Sequence, residues 1–200
     1  LWAKFQERCL DKLIGMFSFV VFDKFEGSLT LVTDGFGIKP MYYHQSECLI
    51  SSEINPIIQL LKNKPSVAKD IEQQYILTGA YDRNQRTFFQ DIHRLPPGHV
   101  MKFCLKKNKI TQKKRWWYPS TSTHASRNIN EFCEELREEF LESVKMHLRS
   151  DVPLGFALSG GLDSSSLVAA ARYLDPKIDI NAISYVANEG RLSEETWINY

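Results

Sequence analysis

The chain has 200 residues, of which 43% are hydrophobic and 24% charged, and its formal net charge is +1 at pH 7. This composition is ordinary for a soluble globular protein, and the near-neutral charge gives no electrostatic argument for a polyanionic partner, so we predict no binding to nucleic acid. No apolar run approaches the ~20 residues that span a bilayer, and the cysteines and histidines show no metal-ligand spacing, so we predict no membrane segment, no metal cluster and a cytosolic, reducing compartment.

Hydrophobic residues open the chain at helical spacing and predict an amphipathic helix: Leu1, Phe5, Cys9 and Leu13. Residues 15–23 are rich in aromatic and β-branched side chains, which predicts a buried strand. A turn with Gly27 and a second strand over 29–33 follow, so we expect an antiparallel hairpin. Because the chain starts with a leucine inside this helix, and residues 194–200 also resemble part of an element, we expect both ends to be truncations.

Shorter elements are predicted for the rest of the first half. Residues 41–43 and 49–51 are expected to extend the first sheet, and apolar spacing predicts helices over 54–61 and 71–77. A rigid segment over 94–99 then leads into a second hairpin, whose lysine-rich tip we interpret as solvated rather than as a basic patch.

Composition changes over 118–130, where proline, serine, threonine, histidine and asparagine dominate, and this predicts a linker. A helix is predicted over 131–150, because apolar residues recur along it at every fourth position: Phe132, Leu136, Phe140, Val144 and Leu148. Asn130 is the expected N-cap of that helix. The pattern therefore predicts one domain before the linker and a second domain after it.

The strongest chemical signal is the segment 151–165, which predicts a strand, a tight loop and a helix. Gly160 and Gly161 let the main chain turn and approach a ligand closely, and N–H groups at the start of a helix bind phosphate oxygens. Three hydroxyl groups add hydrogen-bond donors: Ser159, Ser164 and Ser165. Asp163 is placed to hold Mg²⁺ against the phosphates.

No lysine follows the two glycines, so this loop lacks the pattern of the P-loops that transfer a terminal phosphoryl group. The sequence SGGLDS instead resembles the pyrophosphate-binding loop of ATP pyrophosphatases, which cleave ATP between its α and β phosphates. A glycine turn without chemistry is the alternative interpretation. Residues 178–186 predict the next parallel strand, near whose carboxyl end Tyr185 is either a wall of the adenine pocket or an ordinary packing residue.

Five motifs occur in the order and approximate spacing of class B asparagine synthetases, which this sequence resembles over nearly its whole length: GMFSF at 15–19, DGFGIKPMYY at 34–43, SEI at 52–54, LPPGH at 95–99 and the segment 151–165. The resemblance implies an α+β N-terminal-nucleophile glutaminase domain, with antiparallel sheets and helices. It implies that the start of an α/β parallel-sheet ATP pyrophosphatase domain, of the adenine nucleotide α hydrolase type, follows. We place these domains at 1–118 and 131–200, with the linker at 119–130.

Members of this family make asparagine from aspartate with glutamine as nitrogen donor, through β-aspartyl-AMP, and release AMP and pyrophosphate. The resemblance therefore implies a cytoplasmic ligase that uses ATP and Mg²⁺ and binds glutamine and aspartate, and it leaves a homodimer open. In the family, a cysteine at the mature N-terminus attacks glutamine. That cysteine is absent from this sequence, and Cys9 is interpreted as a core residue. We therefore assign no catalytic residue and expect this chain alone not to hydrolyse glutamine.

By position, Asp34 matches the family aspartate that binds the α-ammonium group of glutamine, and a turn-initiating aspartate is the alternative. The ATP-binding positions implied by the resemblance are Leu158, Ser159, Gly160, Gly161, Leu162, Asp163, Ser164, Ser165 and Tyr185. Glu194 falls near a short acidic motif of the family. Thr33 and Gly35 depart from the family, whose members commonly carry arginine on both sides of the aspartate.

Two other functions stay open. A β-lactam synthetase or a lasso-peptide cyclase would keep the adenylating chemistry without glutamine hydrolysis, and the missing arginines around Asp34 favour this alternative. A non-catalytic binding or assembly module is the third hypothesis. The intact loop over 159–165 argues against it, because a module without chemistry has no need of a phosphate-binding loop.

Overall fold

The computed structural model describes residues 1–81, 84–121 and 128–187. The chain divides into two units, Leu1–Thr121 and Ser122–Tyr200, which are described separately below. Part of the predicted linker, residues 122–127, lies outside the described residues, and so does Glu194. In the three described ranges, no helix combines the length and the apolar character needed to cross a membrane.

The first unit combines β-strands with short helices. Its strands, in chain order, are β1 (Ser18–Asp23), β2 (Ser28–Thr33), β3 (Tyr42–His44), β4 (Leu49–Ser51), β5 (Ile92–Arg94), β6 (His99–Cys104) and β7 (Lys109–Arg115). Its helical segments are α1 (Trp2–Phe5), a 3-10 helix (Gln6–Lys12), α2 (Ile54–Leu60) and α3 (Lys69–Thr78). The two helices predicted over 54–61 and 71–77 are thus confirmed.

The strands of the first unit form two antiparallel sheets. The larger sheet has the strand order β1-β2-β6-β7, and the smaller sheet has the order β4-β3-β5. Both predicted hairpins, β1 with β2 and β6 with β7, are confirmed. The prediction that residues 41–43 and 49–51 extend the first sheet is wrong, because β3 pairs with β4 on one side and with β5 on the other.

Both faces of the larger sheet carry buried apolar side chains. The cluster that joins it to the smaller sheet consists of Leu31, Met41, Tyr43, Leu95 and Met101. On the opposite face, the N-terminal helical segment packs onto the sheet through a second cluster, made of Cys9, Leu10, Val32 and Val100. Cys9 is only 2% exposed, so its interpretation as a core residue is confirmed.

Two predictions about the N-terminal part need correction. The single amphipathic helix is instead a one-turn α1 followed by the 3-10 helix, because Gln6 has a φ of 51° and interrupts the α-helical hydrogen bonding. Strand β1 forms but is not buried, since Val20 is 40% exposed and Phe22 is 53% exposed. The reason is topological: β1 lies at the edge of its sheet and has a neighbouring strand on one side only.

The described part of the second unit contains α4 (Ile129–His147), β8 (Gly155–Ala157), α5 (Leu162–Leu174) and β9 (Asn181–Ile183). Strands β8 and β9 pair in parallel, as predicted. The N-cap of α4 is Asn128 and not Asn130, because the Asn128 side chain accepts a hydrogen bond from the N–H of Asn130 at 3.2 Å. Of the predicted apolar face of α4, Val144 is buried, whereas Phe132 and Leu136 are more than half exposed.

Candidate functional site

The glycine loop of the second unit connects the carboxyl end of β8 to the start of α5. Leu158 follows the strand and donates its N–H to the carbonyl oxygen of Ile183 at 2.9 Å. Gly160 has a φ of 73°, in the left-handed region that favours glycine, and Gly161 is the N-cap of α5. The predicted order of strand, tight loop and helix is confirmed.

Two serine hydroxyl groups hold this loop in shape. The Oγ atoms of Ser159 and Ser164 are 3.0 Å apart. Ser164 Oγ also accepts from the N–H of Ser159 and donates to the carbonyl oxygen of Gly161, each at 3.2 Å. Ser159 Oγ accepts from the N–H of Gly161 at 3.3 Å. Both hydroxyl groups therefore form hydrogen bonds within the loop. These bonds fix the conformation of the loop in the absence of a ligand.

The first turn of α5 presents main-chain hydrogen-bond donors. In the described part of the chain no side chain caps this helix, and the first N–H groups of an α-helix have no partner within it. These groups belong to Leu162, Asp163 and Ser164, whereas the N–H of Ser165 already donates to the carbonyl oxygen of Gly161 at 3.1 Å. Together with the positive end of the helix dipole, they can bind an anionic oxygen.

The second strand of the parallel pair brings Tyr185 towards the same edge of the sheet. Because β8 and β9 are parallel, their carboxyl ends point the same way, and Tyr185 follows the end of β9. Its side chain is 71% exposed, and that of Leu158 is partly buried. The predicted ATP-binding positions thus lie at the carboxyl ends of neighbouring strands and in the loop between β8 and α5.

Asp34 lies just beyond β2 in the first unit and is only 1% exposed. Its Oδ1 accepts hydrogen bonds from the N–H groups of Phe36 and Ile38, both at 3.1 Å. Its Oδ2 accepts from the N–H groups of Phe17 at 3.2 Å and of Lys39 at 3.0 Å. The glutamine-binding role of Asp34 stays a prediction, and this geometry agrees with the alternative of a turn-forming aspartate.

The packing around Asp34 explains one departure from the family. A Cβ atom on Gly35 would lie 2.7 Å from the ring of Trp117. The same ring packs against Phe36, with ring centroids 4.8 Å apart. An arginine at position 35 therefore does not fit while Trp117 occupies this place. Sequence reasoning missed the pair, because no short pattern links residues from such distant parts of the chain.

A cluster of titratable groups surrounds Tyr43 in the first unit. The ring centroid of Tyr43 lies 5.5 Å from that of His93 and 5.9 Å from Nζ of Lys113. Burial raises the pKa of the Tyr43 phenol, and it lowers the pKa of Lys113 and that of His93. Tyr43 ends the DGFGIKPMYY motif, but no motif joins it to His93 and Lys113, since the three residues come from separate strands, β3, β5 and β7.

Comparison with known families places the chain among the glutamine amidotransferases. It belongs to the family described as glutamine amidotransferase domain, whose model matches residues 1–117. A second family model, described as asparagine synthase, matches residues 135–198. The resemblance inferred from the five motifs is thereby confirmed, since both halves match in the expected order.

Individual relatives carry two kinds of name. The chain is 32% identical over 174 residues to the amidase chry2 of Gibberella zeae, a match of 82% of this chain and 24% of the relative. It is 28% identical over 187 residues to the glutamine-hydrolyzing asparagine synthetase 1 of Bacillus subtilis, with coverages of 92% and 29%. With the glutamine-hydrolyzing asparagine synthetase of Zea mays it shares 30% identity over 181 residues, with coverages of 90% and 26%. The chain thus spans less than a third of the length of these relatives.

Proposed function

We propose that the chain belongs to an enzyme that makes asparagine from aspartate, with glutamine as nitrogen donor and ATP as energy source. The observation that carries this proposal is the loop between β8 and α5, where Gly160, Gly161 and the first turn of α5 offer N–H groups to an anion. The two family matches along one chain support the same reaction. In this proposal the glutaminase domain covers 1–118, the linker 119–130 and the ATP pyrophosphatase domain 131–200.

The proposed reaction proceeds in two steps. A carboxylate oxygen of aspartate attacks the α-phosphorus of ATP, pyrophosphate leaves, and β-aspartyl-AMP forms. Ammonia released from glutamine then attacks the activated acyl carbon, AMP leaves with its electron pair, and the nitrogen loses a proton. The N–H groups of Leu162, Asp163 and Ser164 are suited to the first step, because negative charge accumulates on the departing pyrophosphate. Main-chain donors suffice for this task, so the absence of a P-loop lysine fits the proposal.

Asp163 fits a magnesium ion bound together with ATP. Mg²⁺ in such sites is held by one or two carboxylates along with substrate phosphates. The side chain of Asp163 is exposed in the first turn of α5, and the described ranges contain no group of three or more candidate metal ligands. Among the described residues, Asp163 would contribute one carboxylate to an ion whose charge offsets that of the phosphates.

Release of ammonia from glutamine requires a nucleophile other than Cys9. That thiol is 2% exposed and belongs to the apolar cluster with Val32 and Val100, where no substrate reaches it. In the proposal, the nucleophile is the N-terminal cysteine that the family resemblance implies for the whole protein. A cytoplasmic location and a homodimer complete the proposal.

Two alanine substitutions test the loop in the whole protein, with asparagine formation as the readout. Gly160 requires a φ of 73°, which costs an alanine roughly 1–2 kcal/mol. We therefore expect Gly160→Ala to raise the KM for ATP about ten-fold. In Gly155→Ala, the matched control, the nearest atom to the new Cβ lies 3.8 Å away, and we expect the wild-type KM. Equal effects of the two substitutions, or no asparagine from the wild type with either glutamine or ammonia, would contradict the proposal.

A second candidate is a ligase that adenylates a different carboxylate, as the β-lactam synthetase or lasso-peptide cyclase alternative requires. The 32% identity to a relative named amidase favours a substrate other than aspartate, because that name does not imply the formation of asparagine. Asparagine formation by the whole protein would exclude it. Pyrophosphate release from ATP that depends on another carboxylate, without any asparagine, would support it.

A further inference from the structure

We infer that Asp34 is a positioning residue, which acts by holding its own loop in place and does not contact glutamine. This inference rests on the proposed glutamine hydrolysis. A carboxylate offers about four acceptor sites, and each oxygen of Asp34 already accepts two N–H groups at 3.0 to 3.2 Å. Since the residue is also 1% exposed, an ammonium ion could reach it only by displacing these donors.

Three of the sequence motifs meet at Asp34. The GMFSF segment is tied to it twice, because Phe17 donates to Oδ2 at 3.2 Å and accepts from the N–H of Asp34 at 2.8 Å. The LPPGH segment is tied to it by the N–H of Gly98, which donates to the carbonyl oxygen of Asp34 at 2.8 Å. The DGFGIKPMYY segment wraps its own N–H groups around the carboxylate. One residue therefore sets the relative placement of three segments.

The loop that follows Asp34 is also held from outside. The ring of Trp117 lies so close to Gly35 that a Cβ atom there would be 2.7 Å away. At Gly37, where φ is 65°, a Cβ atom would be 2.8 Å from the ring of Pro97. Between these contacts the loop presents Phe36, which is 72% exposed. A loop fixed from inside and outside is suited to hold an exposed side chain in a defined position.

Only a side chain with two acceptor oxygens satisfies this arrangement. An asparagine at position 34 has one acceptor oxygen, and its amide NH₂ group would face two main-chain N–H groups whichever way the side chain turned. Two of these part-buried donors would then lose their acceptor, which is unfavourable. We therefore expect Asp34→Asn to displace the loop. The reaction of every substrate that the loop helps to position should then become slower.

The test compares two substrates of the whole protein: glutamine and glutaramate, which is glutamine without the α-amino group. We expect Asp34→Asn to lower kcat/KM for both by a similar factor, about ten-fold or more, because two main-chain N–H groups lose their acceptor together. The ratio between the substrates should then stay within about three-fold of the wild-type ratio. Gly35→Ala, which disturbs the loop from the Trp117 side, should behave alike, whereas Asp11→Asn, at an exposed position, should change neither rate.

A loss of discrimination between the two substrates in Asp34→Asn but not in Gly35→Ala would overturn the inference, since it would reveal a contact with the ammonium group. If the variants do not fold, hydrogen exchange in the wild type decides. Protection of the Phe36, Ile38 and Lys39 amides should be the same with and without saturating glutamate, and reduced protection with glutamate would overturn the inference. If the wild type hydrolyses neither substrate, the proposed function fails instead.

Discussion

His93 on β5 makes the stability of the first unit depend on pH. Burial lowers the pKa of its imidazole, and the charges around it act in both directions: Asp91 raises the pKa, while Lys113, Arg86 and His44 lower it. In the unfolded chain the pKa of histidine is ~6.5, so below that pH the unfolded state binds more protons than the folded state. The stability that neutral His93 contributes is therefore complete above about pH 6.5 and is lost as the pH falls towards the lower folded pKa.

We accordingly expect His93→Gln to lessen the acid sensitivity of the protein. The wild type should lose more unfolding free energy between about pH 7 and about pH 5 than the variant, because glutamine takes up no proton in this range. Urea titrations at both pH values measure the difference. His147→Gln, at an exposed position on α4, is the matched control and should keep the wild-type pH dependence. The same acid sensitivity in His93→Gln as in the wild type would refute this role.

Among the elements, the start of α4 provides a direct comparison between two neighbouring asparagines. The Asn128 side chain accepts the N–H of Asn130 at 3.2 Å, so Asn128→Ala leaves a first-turn donor without its acceptor. We expect this substitution to destabilise the second unit by about 1 kcal/mol, measured by urea unfolding. Asn130→Ala keeps the main-chain donor and should cost clearly less. A larger effect at Asn130 would mean that the cap was assigned to the wrong residue.

Elements with a strong local pattern could be predicted from the sequence. Both hairpins, α2 and α3 follow from periodicity and turn residues over a few positions. The membership of β3 in a separate sheet could not be predicted, because its partner β5 lies far along the chain. The exposure of Phe22 could not be predicted for a related reason. The residue pattern of β1 predicts a strand, but it does not show whether that strand lies at the edge of its sheet.

The glycine loop of the second unit and the surroundings of Asp34 also differ in how far they could be predicted from the sequence. The loop over 159–165 could be predicted because consecutive residues carry its chemistry, so one motif contains nearly all of it. Asp34 is hydrogen-bonded to Phe17 and Gly98 as well as to its own loop, which Trp117 contacts at Gly35, and no single pattern in the sequence joins these positions. Position alone therefore suggested a substrate contact, whereas the hydrogen bonds favour a structural task.

For the molecule as a whole, the order of the two units is the main functional fact. A unit of the glutamine amidotransferase family precedes a segment that matches asparagine synthase, and the second contains the loop suited to pyrophosphate. In the proposed reaction, ammonia released in the first domain is the nucleophile that the second domain requires. The account thus depends on cleavage of ATP at its α-phosphorus, which alone yields an acyl adenylate.

The products formed from ATP test this claim most directly. The whole protein would be incubated with ATP, Mg²⁺, aspartate and glutamine, and its phosphorus-containing products followed by ³¹P NMR while asparagine is quantified. The account predicts AMP and pyrophosphate in amounts equal to the asparagine formed. ADP and inorganic phosphate in place of AMP and pyrophosphate would contradict it.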